Sequence, residues 1–141
     1  MFKLFLIPVI IAIIVQLIKV CLDLSRGQIS WSHITGYGGM PSSHAALVTS
    51  LATIAALTEG LDSSAFAISL VLAIVVIRDA FGLRGYLSQH SKILNRLIRE
   101  LPDAEEYKYP ILEERIAHTS AQLIVGGLLG ILFAWILFTA I

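Results

Sequence analysis

Long apolar runs alternate with short polar intervals along the chain, and the runs have helical length. Residues 4–18 are apolar except for Gln16, with Pro8 near the start. Extended to residues 2–24, the run makes a helix able to cross about 30 Å of hydrocarbon. A cleaved leader is the first alternative. Its basic region would hold only Lys3, no small-x-small site follows the run, and Lys19 two residues before Cys21 argues against a lipoprotein site. A retained membrane helix is the better reading. Residues 42–58 predict a second helix, thinned by Ala45, Ala46, Ser50, Ala52, Ala55 and Ala56, since small residues let membrane helices approach closely. It is short for a span, as suits a helix that begins at a recessed site. Gly60 ends it, and Asp62 or Ser63 caps the next helix. Residues 64–77, apolar and rich in β-branched side chains, predict a third span.

From residue 80 to 109 the pattern changes. Ile93, Leu94, Leu97, Ile98 and Leu101 recur with a one-sided helical period, while Arg84, Lys92, Arg96 and Arg99 carry charge. This predicts an amphipathic helix at the interface, ended by Pro102, with Arg96 and Arg99 meeting lipid headgroups. Residues 103–110 form a polar connector. A last helix is expected to begin over residues 111–117 and to run apolar from 123 to 141, with Gly126, Gly127 and Gly130 on a close-packing face. The sum is an all-α integral membrane helical bundle. It has about four transmembrane helices plus one amphipathic helix, in a single domain over residues 1–141.

Composition agrees. The chain is 57% hydrophobic and 14% charged, against roughly a quarter charged in an average soluble domain. Its net charge of zero offers nothing to nucleic acid. The single cysteine, Cys21, makes no internal disulfide. The turn between the second and third helices carries Glu59 and Asp62, whereas Lys19 and Arg26 flank one loop and Arg84, Lys92, Arg96, Arg99, Lys108 and Arg115 populate another. The positive-inside rule puts both basic loops in the cytoplasm and both termini on the far side. Counting spans then brings Lys19, Arg26, the start of the second helix, Asp79, Arg84 and His118 to one membrane face. His33 and Trp31 belong to the loop over residues 25–37, where Trp31 and Tyr37 suit the lipid boundary.

The chemistry centres on Gly38-Gly39-Met40-Pro41-Ser42-Ser43-His44. Two glycines give the backbone freedom, Pro41 presets the dihedral of a first helical turn, and Ser42 or Ser43 caps the helix. Amides at a helix start favour an anion such as phosphate. Ionisable groups near a span are functional candidates. Cations with two histidines suit phosphoryl transfer: the cations hold the oxygens, one imidazole attacks phosphorus, and the other protonates the departing oxygen.

These seven residues, with Asp79-Ala80-Phe81-Gly82-Leu83-Arg84 and with His118-Thr119 before a glycine-rich helix, resemble the small divergent branch of the type 2 phosphatidic acid phosphatase superfamily. That superfamily also holds acid phosphatases and vanadium-dependent haloperoxidases. The resemblance runs from Lys19 to Gly130. Lys19 and Arg26 keep the spacing of its first motif, with Gly27 for proline, and Pro41-Ser42-Ser43-His44 keeps the second, with Ser43 for glycine. His118 matches the nucleophile, but Gln122 stands where the superfamily has the aspartate that orients it, and Leu112 stands where an arginine is expected. Arg115 or Arg84 is the substitute. The resemblance implies that His118 forms a phosphohistidine and that His44 is the general acid. Ser42 and Ser43 bind phosphate through amides and hydroxyls, Lys19, Arg26 and Arg84 hold the other oxygens, and Asp79 orients Arg84 or a histidine. It implies neither metal nor cofactor.

The leading expectation is a membrane phosphatase acting on a lipid phosphate or polyprenyl diphosphate at the cytoplasmic face, with the lipid bilayer as its partner. The alternative is a non-catalytic membrane protein of the same fold that binds anionic headgroups or a partner, which Gln122 favours. A small transporter or channel subunit ranks below both. Association into a homo-oligomer is left open.

Overall fold

A computed structural model describes residues 2–25, 27, 39–101, 109–114 and 116–140. Among the described residues five α-helices follow one another: α1 Phe2–Ser25, α2 Ser43–Glu59, α3 Ser64–Phe81, α4 Leu83–Glu100 and α5 Ser120–Ala140. The amphipathic helix expected before Pro102 is α4, ending at Glu100, and α3 extends past its expected end at residue 77 to Phe81. Among the described residues three stretches are long and apolar enough to cross a membrane: α1, the stretch Ser64–Glu100, and α5. The chain is thus an all-helical membrane bundle. α2 has 17 residues, about 25 Å at 1.5 Å per residue, and lies at the centre against α1, α3 and α5.

Side-chain size decides who sits where. On α1 the buried positions Ile7, Ile11, Val15 and Lys19 repeat every four residues and so form one stripe. Ile7, Ile11 and Val15 join Ala46, Ile54 and Ala134 in the main core. α5 comes close to α2 because its contact face is glycine. A Cβ on Gly126 would collide with the Ser42 backbone, and one on Gly130 with the Ala46 backbone and Thr49. Thr49 Oγ1 reaches across to the Gly127 carbonyl at 3.1 Å. The close-packing face expected at these glycines is therefore present.

Direction follows from contacts at the ends. Ser42 N–H donates to the Gln122 carbonyl at 3.2 Å, and His118 N–H donates to the Ala80 carbonyl at 3.3 Å. The starts of α2 and α5 and the end of α3 therefore share one end of the bundle. At the other end, Lys3 stands 5.5 Å over the Phe138 ring, joining the start of α1 to the end of α5. α3 passes into α4 across Gly82, whose N–H donates to Arg78 O at 2.8 Å while Tyr86 N–H donates to Gly82 O at 3.1 Å.

The last helix is a correction. Residues 111–114 and 116–119 are not helical, and α5 starts at Ser120. The cause is tertiary. Asn95 on α4 accepts from Leu112 N–H and donates to Leu112 O, both at 2.9 Å, taking the carbonyl that a helix beginning at 111 would use. Thr119 and Gln122 then build the start of α5: Thr119 Oγ1 accepts from Gln122 N–H at 3.3 Å, and Gln122 Oε1 accepts from Thr119 N–H at 2.9 Å. This reciprocal pair is a capping box.

Candidate active site

Ser42 is the N-cap of α2, its Oγ accepting from Ala45 N–H at 3.3 Å. Pro41 stands before the cap, not in the first turn where its ring was expected to preset the helix. Ser42 is 1% exposed, and its amide is committed to the Gln122 carbonyl. The expectation that its amide binds phosphate is therefore corrected: close α2–α5 contact uses that group. The amides of Ser43 and His44, next in the helix, make no bond to another described residue and point out of the first turn. His44 is exposed.

Lys19 ends the buried stripe of α1 and is 5% exposed. The chain returns across it at Gly39, whose φ of +96° and missing Cβ let the backbone cross the Lys19 methylenes. Gly38, Arg26 and Arg115 lie outside the described residues, as does His33.

At the α3–α4 joint Asp79 Oδ2 accepts from Arg84 Nε at 2.9 Å. The carboxylate so fixes the guanidinium plane, one of the two roles expected of it. The orienting partner of His118 is instead Gln122. Thr119 N–H can only donate, so the Gln122 atom it meets is the amide oxygen. That same oxygen lies 3.3 Å from His118 Nδ1. Nδ1 therefore carries the hydrogen, and the lone pair sits on Nε2. His118 is 7% exposed.

Sequence reasoning missed what holds the approach to His118. Asn95, 5% exposed, donates to Glu114 Oε1 at 2.9 Å as well as clamping Leu112, and Ser88 Oγ donates to the Glu114 carbonyl. Both stand on the polar side of α4, away from its leucines. An asparagine among leucines and isoleucines was the available signal. The Thr-x-x-Gln box was another, hidden because Gln122 drew notice only for its distance from His118.

The charged groups feel one another. His44 lies within electrostatic reach of Arg84, Lys19 and Asp79, and His118 within reach of His44, Arg84 and Lys19. Burial holds the His118 imidazole below the ordinary histidine range. The Gln122 hydrogen bond pulls it back up, while His44, Arg84 and Lys19 push it down. Lys19, His44, Asp79, Arg84 and His118 thus gather at one end of the bundle. Among the described residues, no three His, Cys, Asp or Glu side chains are grouped to hold a metal ion.

The sequence is similar to known proteins. The profile of the Divergent PAP2 family matches residues 2–133. The uncharacterized membrane protein YuiD of Bacillus subtilis (strain 168) is 38% identical over 138 residues, covering 89% of this chain and 87% of that protein. No solved structure matches. A motif spread from α1 to α5, a membrane bundle that gathers it, and a family match over nearly the whole length lead to one statement: the chain belongs to the divergent PAP2 family.

Proposed function

We propose that the protein is a membrane phosphatase that hydrolyses a lipid phosphate or polyprenyl diphosphate at the cytoplasmic face, without a metal. One observation carries the reading: two buried or half-buried cations, Lys19 on α1 and Arg84 on α4, lie in electrostatic reach of both His44 on α2 and His118 in the segment before α5, at one end of the bundle. His118 Nε2 attacks phosphorus. The bond from phosphorus to the lipid oxygen breaks as His44 gives that oxygen a proton. Water then cleaves the phosphohistidine, His44 taking its proton, and inorganic phosphate leaves. Arg84, Lys19 and Arg26 balance the charge that spreads over the phosphoryl oxygens. The Ser43 and His44 amides, with the Ser43 hydroxyl, bind the group at a helix start.

Phosphate release from a lipid-phosphate panel tests this. His118→Ala abolishes it, and His44→Ala lowers it by roughly 10²- to 10⁴-fold, the usual worth of a positioned proton donor. Full activity in both variants overturns the assignment.

Gln122 favours a second reading. A neutral amide stabilises imidazolium less than a carboxylate does, and here it also serves the α5 cap. A non-catalytic member would bind phosphate or vanadate and hydrolyse nothing on the same panel.

A further inference from the structure

A groove of about 450 Å³ runs between α1 and α2. Val9, Ile13 and Leu17 line one wall, Leu47 stands on the other, and Ser43 and His44 close one end. The two helices run antiparallel, because Lys19 at the far end of α1 lies under Gly39, just before α2. Leu17 is therefore level with His44, and Val9 is deepest. Val9 to Leu17 covers about 12 Å along α1 at 1.5 Å per residue, slightly less than one leaflet's half of a roughly 30 Å hydrocarbon core. Ile13 and Leu17 are 55% and 59% exposed, so the groove opens sideways to lipid. Its lining is apolar from Val9 to Ile13, and its polar members, Gln16, Ser43 and His44, lie at the end that meets the candidate active site.

We propose that this groove seats one hydrocarbon tail of the substrate, with the tail's phosphate at His44 and Ser43. The inference rests on the phosphatase reading and narrows its substrate class to a phosphate on a single linear or isoprenoid chain. Size supports one chain: taking about 30 Å³ for a small group at liquid density, 450 Å³ holds on the order of 15 heavy atoms. Continuity supports this occupant over bulk lipid. A tail lying here carries its phosphate directly to the α2 start, where Lys19, Arg84 and His118 lie in electrostatic reach of His44.

The experiment compares a five-carbon with a fifteen-carbon isoprenyl phosphate, in wild type and in two variants that fill the groove, Ala12→Trp and Leu47→Trp. Ala12 also lines it. Thermal unfolding in detergent reports whether each variant folds. In wild type, kcat/KM is higher for the longer phosphate by about tenfold, a modest discrimination for an apolar pocket. In a folded filled variant that ratio falls to about one. A separate readout needs no turnover: a tail-borne diazirine on the longer phosphate labels α1 and α2 peptides, and competes with unlabelled isoprenyl phosphate but not with the free alcohol. Labelling that is lost in a folded filled variant, in a protein that hydrolyses neither phosphate, keeps the tail seat and removes the phosphatase reading. An unchanged ratio with unchanged labelling in a folded filled variant overturns the tail seat.

Discussion

Gln122 does two things with one oxygen: it starts α5 by taking Thr119 N–H, and it fixes the His118 tautomer by facing Nδ1. The second use leaves Nε2 to attack. Burial then keeps the ring neutral at neutral pH, since its titration lies below the ordinary histidine range of about 6.5. In the proposed mechanism neutral imidazole is the nucleophile, so activity is predicted to be lost as pH falls through the His118 pKa and retained above it. The acid limb of the kcat/KM profile is predicted to fall below about pH 6.5. Gln122→Glu keeps the cap and places a carboxylate on Nδ1. It favours imidazolium and is predicted to move that limb to higher pH. A limb that stays in place would mean that another group titrates. The spacing of His118 and Gln122 was legible in sequence because it is a matter of counting. The role of Asp79 was legible only as a choice between partners, since nothing local says whether a carboxylate after a span meets an arginine five residues on or a histidine on another helix.

Elements were legible where hydrophobic period is long and uninterrupted, as in α1, α3 and α5, and illegible where a neighbouring element decides. Leu112, Glu113 and Glu114 are good helix formers, which is why 111–117 read as helical. The Asn95 clamp overrides that propensity. Asn95→Ala frees the connector leading to His118. The prediction is a loss of roughly 10²-fold in kcat/KM, as expected for a reacting group misplaced by about 1 Å, with the His118 pH limb retained. Wild-type kinetics in that variant would make the clamp irrelevant to the site. The glycine face offers a sharper pair. A Cβ at Gly127 makes ordinary contact with Thr49 Cγ2 at 3.5 Å, whereas one at Gly126 strikes the Ser42 backbone. Gly126→Ala is predicted to cost about 1–3 kcal/mol through overpacking. Gly127→Ala should be neutral, or stabilising by up to about 1 kcal/mol through helix propensity. Thermal unfolding in detergent separates them, and equal shifts would contradict the observed α2–α5 contact.

At the scale of the whole molecule, counting spans brought the start of α2, Asp79, Arg84 and His118 to one end, and the contacts of Ser42 with Gln122 and of His118 with Ala80 agree. Counting worked because short turns force antiparallel neighbours. α2 is shorter than the other membrane helices, as its small residues and position against the site had suggested. Membrane sidedness follows from charge: the turn at Leu61, which is 70% exposed, is predicted to face outward. In a Cys21→Ser background, Leu61→Cys should react with an impermeant thiol reagent on intact cells and Tyr109→Cys should not; the reverse pattern inverts the topology. In the proposed mechanism His118 receives the phosphoryl group with His44 beside it. Rapid quenching of the purified protein with a ³²P-labelled single-chain lipid phosphate tests it most directly. An acid-labile, base-stable label is expected on the peptide containing His118 and is absent from His118→Ala. Phosphate release with no label on the protein, or label that survives His118→Ala, would contradict it.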